Sequence, residues 1–308
     1  MPSGRIDIHH HLIPSWYREA FERHGKSAGG WPTPDWSRAS SLALMDELAI
    51  ETALLSASAP GVNFGDRAEA RSMARRVNEY AAEMVKDKPD RYGLFAVLPL
   101  PDMDGALAEV AFALDELGAD GVGILSNIDG RYLGDPEFEP LWQELDRRGA
   151  VVFIHPEAPP MPMLKELPSP LLDFPFETTR TAVHMVTHGV MKRYTNVTVI
   201  LAHAGGFIPF ASERFAIAGR FSPDVTEEDM RTGMKRFYLD LALSSSPTSM
   251  PSLLSYADPT HLVYGSDFPF APSQEFADML DAYPLDTDQR AAVRRGNAER
   301  ILPRLQSA

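Results

Sequence analysis

Cysteine is absent from the 308 residues. That excludes disulfides and thiolate metal sites, so any metal must be held by histidines and carboxylates. Positive charge is scarce: 29 Lys and Arg stand against 43 Asp and Glu, a formal net charge of −14. This balance argues against a nucleic-acid partner, which requires a basic patch, and against an anionic membrane surface. An acidic chain that takes an anionic substrate must supply positive charge locally, from a metal or from arginines. No run approaches the roughly 20 apolar residues of a spanning helix. The opening MPSGRIDIHHH lacks an apolar signal region, so the expectation is a soluble cytoplasmic protein. No Gly-rich phosphate loop follows the first candidate strand, which counts against a doubly wound nucleotide-binding sheet. Internal repeats, low-complexity segments and a domain linker are missing as well.

What is present has a regular rhythm. Short apolar, β-branched runs lie at 5–9, 52–56, 92–98, 121–125, 151–155, 197–203, 236–241 and 261–264. Several are apolar throughout, as parallel strands covered on both faces must be. Amphipathic segments separate them. Met73, Val77, Tyr80, Ala81, Met84 and Val85 share one helical face, as do Leu107, Val110, Ala111, Leu114 and Leu117. Asp135 before Pro136 reads as an N-cap acceptor followed by proline at the first helical position. Eight strands alternating with helices predict one (β/α)8 TIM barrel spanning 1–308 as a single domain. Two stretches interrupt the rhythm, at about 24–37 and at 156–176, the latter rich in proline and large apolar residues. Both leave the carboxyl end of a strand, where barrels build their sites. We read them as walls of a site, with Trp31, Trp36, Phe174 and Phe176 as the aromatic candidates.

The chemistry gathers at the same ends. His9 and His11 sit two apart in IDIHHHLIP, and residues two apart in a strand point to one side. The pair can grip one ion from inside the barrel while His10 points toward the helices. VVFIHP places His155 at the end of the fifth strand, VILAHAGG places His203 after the sixth, and VYGSDFPF places Asp267 after the eighth. One polar residue at a strand end is ordinary. Five metal-competent side chains at one rim, four of them from only nine histidines, point to a metal centre. His24, His184, His188 and His261 fall in loops, helices or a strand start and read as structural.

This pattern, HxH on the first strand, His after the fifth and sixth and Asp after the eighth, resembles the amidohydrolase superfamily over essentially the whole chain. It is most similar to its metal-dependent non-oxidative decarboxylases, typified by 2-amino-3-carboxymuconate-6-semialdehyde decarboxylase. GDPEFEPLWQELDRRGAVVFIHP, FPFETTRTAV and LAHAGGFIPF are most similar to the 6-methylsalicylate decarboxylases within that group. The resemblance implies one divalent metal held by His9, His11, His155 and Asp267, with His203 outside the ligand set as an acid/base. The fourth strand, GVGILSN, lacks the lysine that bridges two metals in other members, so one ion is expected. Histidine at the first ligand position favours Zn²⁺ over Mn²⁺, since imidazole suits zinc well.

The reaction implied is loss of CO₂ from a small aromatic carboxylate with an ortho-hydroxyl group, with Asp267 or His203 as the proton source. Hydrolysis of a lactone or amide by a metal-activated water is the alternative on the same residues, and a hydratase is a third. A non-catalytic binding protein does not call for such a site. Arg214, eleven residues past His203 in HAGGFIPFASER, matches an arginine that in the resembled decarboxylases reaches the neighbouring subunit's site. Its fork of donors fits a carboxylate. The implied state is a homodimer or higher homo-oligomer, with Arg214 a substrate contact across the interface.

Overall fold

The computed structural model describes residues 4–306. The outermost residues of the expected 1–308 domain, including the first three of the opening stretch, lie outside the described residues. The strands are β1 (Arg5–His11), β2 (Ile50–Ser56), β3 (Tyr92–Val97), β4 (Gly121–Leu125), β5 (Asn127–Ile128), β6 (Arg131–Tyr132), β7 (Val151–His155), β8 (Thr198–Leu201), β9 (Tyr238–Asp240) and β10 (Leu262–Val263). Strands β5 and β6 form a separate antiparallel hairpin, and the other eight make one parallel sheet in the order β1-β2-β3-β4-β7-β8-β9-β10. The sheet closes on itself. Ile8 N donates to the Tyr264 carbonyl (3.0 Å) and His11 N to the Phe268 carbonyl (2.8 Å). This is the expected barrel.

Helices α1 (Ser15–Arg23), α2 (Arg38–Glu47), α3 (Arg67–Asp87), α4 (Met103–Asp115), α5 (Glu139–Arg148), α6 (Asp173–Thr187), α7 (Val190–Arg193) and α8 (Ile208–Ala216) follow the strands, with further helices toward the C-terminus. The α3 face is as read from the pattern: Met73, Val77, Ala81 and Met84 are buried, with Tyr80 and Val85 packed beside them. On α4 the buried line is Ala106, Val110 and Ala113, while Leu107 and Leu114 lie only partly buried at its flank and Leu117 falls beyond the helix end. The small residues sit closest to the strands because they let the helix approach. No helix among the described residues is long and apolar enough to cross a membrane.

Side chains from six of the eight barrel strands fill its interior: Ile6, Ile8, Leu54, Phe95, Val151, Phe153, Ile200 and Val263, packed with Ala298, Leu302 and Leu305. Strict alternation would put Ile6 and Ile8 inside and His9 outside. The β1–β2 register shifts between Asp7 and His10, and His9 lies against Phe153 at 4.9 Å between ring centroids. The irregularity therefore changes the phase of the strand, as an extra residue in a ladder does, and brings His9 and His11 to the interior.

Six strands differ in their bounds from those read in the sequence; β2 begins two residues earlier, at Ile50, and β3 ends one earlier, at Val97. β1 runs two residues further, through His11. β8 stops at Leu201 rather than His203, because His203 and Ala204 have φ of 53° and 56°, outside any strand conformation. β9 and β10 are shorter than 236–241 and 261–264, since only their middle residues pair. Asp135 does not cap a helix by its side chain. Its carboxylate faces His184 Nε2 at 3.7 Å, and a 3-10 turn over Pro136–Phe138 leads into α5.

Candidate metal centre

His9 and His11 end β1, His155 ends β7, and Asp267 follows β10 in a left-handed conformation (φ 53°). Asp267 is anchored by its own amide, which donates to the His9 carbonyl at 2.8 Å. One nitrogen or oxygen from each of these four buried residues lies within 4.8 Å of all the others. His9 Nε2 and His11 Nε2 are 3.0 Å apart, and each is 3.2 Å from Asp267 Oδ1.

The opposite edges of the three rings are held by hydrogen bonds. His9 Nδ1 donates to Asp240 Oδ2 (2.8 Å), His155 Nδ1 to the Pro156 carbonyl (2.8 Å), and His11 Nδ1 lies 3.3 Å from the Ser56 carbonyl. Carboxylates and carbonyls can only accept, so Nδ1 of His9 and of His155 carries the hydrogen and their Nε2 lone pairs face the centre. His11 Nδ1 also lies 3.1 Å from Ser56 Oγ, a hydroxyl that can donate or accept. Three convergent imidazole nitrogens and a carboxylate, all buried, are a donor set for a divalent cation.

The electrostatics make the same demand. Burial opposes charge on His9, but Asp240 and Asp267 outweigh it and raise its pKa to about 10. Burial lowers His11, and lowers His155 further with the help of His11 and His9. Burial would raise Asp267, yet His9 and the hydrogen bonds from His11 and His203 hold it well below the usual carboxylate range. The centre thus wants positive charge, and without a cation a proton on His9 supplies it.

His203 stands beside the four. Its Nε2 is 3.3 Å from Asp267 Oδ2, its amide donates to Asp240 Oδ1 at 3.0 Å, and its buried Nδ1 has no protein partner. His10 points away, to Asp7 Oδ2 (3.0 Å) and Ser41 Oγ (2.8 Å) on α2. His24, His184, His188 and His261 lie elsewhere, on or beside helices.

Two cavities are lined in part by His155. One, of about 90 Å³, is lined by Ala28, Trp31, Ser58, Phe174, His203, Leu243, Asp267 and Phe270. The other, of about 430 Å³, has a floor that includes Val97, Leu98, Ile124, Leu125 and Phe153 and a rim that includes Lys26, Asn63, Asn127, Asp129 and Glu157. Both irregular stretches contribute walls. They are tied by Ser169 N donating to the Gly29 carbonyl (2.9 Å). Gly29 has φ 60° and no room for a Cβ, which would fall 2.9 Å from Phe174. Of the four aromatic candidates, Trp31 and Phe174 line the small cavity. Trp36 instead packs on Tyr80, and Phe176 is 46% exposed beside Phe207. Arg214 is exposed on α8, lines neither cavity, and has no ion-pair partner among the described residues.

Asp240 was missed in the sequence. Its carboxylate holds His9 Nδ1, the His203 amide and the Ala242 amide. The signal was an aspartate at the end of the seventh strand, in FYLDLA. Phe270 was missed as well; it stands 5.8 Å from the His11 ring, in the DFPF that carries Asp267. Glu157 was passed over beside His155; burial raises its carboxyl to about 7.

The family model described as Amidohydrolase matches residues 6–304. A 6-methylsalicylic acid decarboxylase of Penicillium expansum is 37% identical, covering 98% of this chain and 97% of that protein. The crystal structure of an amidohydrolase II superimposes with a TM-score of 0.91 at 36% identity, covering 97% of this chain and 99% of the other. A 5-carboxyvanillate decarboxylase of Novosphingobium aromaticivorans, solved with manganese and 4-hydroxy-3-methoxy-5-nitrobenzoic acid, matches with a TM-score of 0.88 at 20% identity. That match covers 97% of this chain and 96% of the other.

Proposed function

This chain belongs to the amidohydrolase family, and from that premise we propose how its centre performs a metal-dependent decarboxylation of a small aromatic carboxylate. The carrying observation is the buried convergence of His9, His11, His155 and Asp267, beside a cavity lined by Trp31, Phe174, Leu243 and Phe270. The relatives named as decarboxylases of aromatic acids support the reaction, and the cavity's apolar, aromatic lining suits a ring. We read the whole chain as one barrel domain whose stretches at 24–37 and 156–176 wall a single site.

In this reading the four residues hold one divalent ion. Zinc is favoured by three imidazoles, and the manganese in the 5-carboxyvanillate decarboxylase names the competing ion. The bound ion would supply Lewis acidity and a template for a carboxylate with an ortho-hydroxyl neighbour. The chain's own groups do the rest. Trp31, Phe174 and Phe270 flank the ring and exclude water. A proton held between His203 Nε2 and Asp267 Oδ2, 3.3 Å apart, moves to the ring carbon that bears the carboxylate. The C–C bond then breaks, its electron pair restores aromaticity, CO₂ departs, and solvent returns the proton to the pair.

We also propose that Arg214 serves a neighbouring subunit. Phe210, Arg214 and Ile217 follow at i, i+4 and i+7, one stripe along α8 and the turn after it. Phe210 is 85% exposed and Ile217 41%. A large apolar stripe around an unpaired guanidinium suits burial against a second copy. The function is tested by screening ortho-hydroxyarene carboxylates for CO₂ release with zinc- and manganese-loaded protein. Release from at least one acid, lost on metal removal, is the expected result. Turnover without CO₂ contradicts the reading.

A further inference from the structure

The cavity beside the metal centre holds about 90 Å³, whereas the chamber that shares His155 with it as a lining residue holds about 430 Å³. A hydroxylated ring with a single methyl group does not fill the two spaces together. The chamber is open at its polar rim, so its apolar floor faces water, and an apolar group that covered it would bind with a gain. The chamber is also kept open where filling it would be easy. Gly123 lies within β4, on its wall. A Cβ built there meets nothing nearer than 3.8 Å, and the backbone is not in the left-handed region. Its neighbour Gly121 differs: a Cβ there would fall 2.3 Å from the Val151 carbonyl oxygen. Packing thus demands Gly121 and not Gly123. A glycine in a strand interior weakens the strand, and one without a steric reason marks close approach by a ligand. The rim holds Asp129 and Glu157 against one cation, Lys26, so a second carboxylate is unwelcome there.

We propose that the substrate carries, besides its carboxylate and hydroxyl, an uncharged substituent of several carbon atoms, and that this substituent occupies the chamber beside Gly123. This deepens the aromatic-carboxylate reading and rests on it. The test is calorimetric titration of the metal-reconstituted protein with 2-hydroxybenzoates bearing methyl, propyl or pentyl at each open ring position in turn. At one position Kd should fall about fourfold for each methylene buried, at least about tenfold from methyl to pentyl. A chain of equal length ending in carboxylate should lose that gain. Gly123→Leu and the smaller Gly123→Val should each bring the methyl-to-pentyl ratio back toward one, leucine more completely.

Flat Kd values at every ring position, or a gain that survives in whichever variant folds, overturns the proposal. So does failure of every acid to bind. CO₂ release by the same acids is followed separately. Tighter binding of long chains without any CO₂ would uphold the chamber and contradict the decarboxylase reading.

Discussion

His9 is held from two sides. Asp240 takes its Nδ1 hydrogen at 2.8 Å, and its Nε2 faces His11 and Asp267. A carboxylate behind a ligating imidazole fixes the ring and raises its basicity. Asp240→Asn should therefore weaken metal affinity about 10- to 100-fold, read by competition with a chelating dye. Unchanged affinity would show that Asp240 merely fills the strand end. His203 makes the opposite demand. His203→Asn should retain stoichiometric metal and lose at least about 10²-fold in kcat, the usual scale for an acid/base group. Loss of metal would instead make it a ligand. The four clustered residues and His203 were legible because strand parity and strand ends name them. Asp240 was not, because a single aspartate in an apolar run has many uses and its role exists only once β9 lies beside β1 and β8. The parity argument also reached the right pair by a simpler route than the chain takes, since the β1 irregularity is not written in any residue type.

Elements explain why the walls stay in place. Glu177 on α6 is fully buried. It accepts from Asn127 Nδ2 (2.8 Å), Tyr132 OH (2.9 Å) and Arg180 Nη1 (3.3 Å), tying the β5–β6 hairpin to the helix. Asn127 also donates to the Ala158 carbonyl at 3.1 Å, so the second irregular stretch hangs on the same knot. Burial raises Glu177 above the ordinary 4.5, although Tyr132, Asn127 and Arg180 pull it back. A carboxyl raised on folding holds its proton longer in the native state, so its stability contribution falls as pH climbs from 4.5 through the folded value. Glu177→Gln cannot titrate. Its stability relative to wild type in urea should improve from pH 4.5 to pH 8; parallel or diverging curves in the other sense would contradict this. None of the knot was visible in the sequence beyond FPFETTRTAV as a phrase. The alternation of strands and helices was visible, and so was the position of both wall-forming stretches. Helix and strand ends slipped where one residue's φ or one side chain's partner decides them, as at His203 and Asp135.

At the scale of the whole molecule, an acidic chain draws its anionic substrate by concentrating positive charge at one point. If Arg214 completes the neighbour's site, mixing inactive His203→Asn with inactive Arg214→Ala subunits should restore part of the activity, because hybrid dimers hold one intact site. Verified subunit exchange without recovery would remove Arg214 from the reaction. The barrel and the clustering of His9, His11, His155 and Asp267 follow from local pattern, whereas the exposure of Phe210 and Ile217 on either side of Arg214 does not. The most direct measurement is turnover of an ortho-hydroxyarene carboxylate by the metal-loaded protein in D₂O. The account predicts one CO₂ for each acid consumed and one deuterium at the carbon that lost it, both abolished in His9→Ala and in metal-stripped protein. A ring-opened or deacylated product without CO₂, or CO₂ release that survives metal removal, would contradict it.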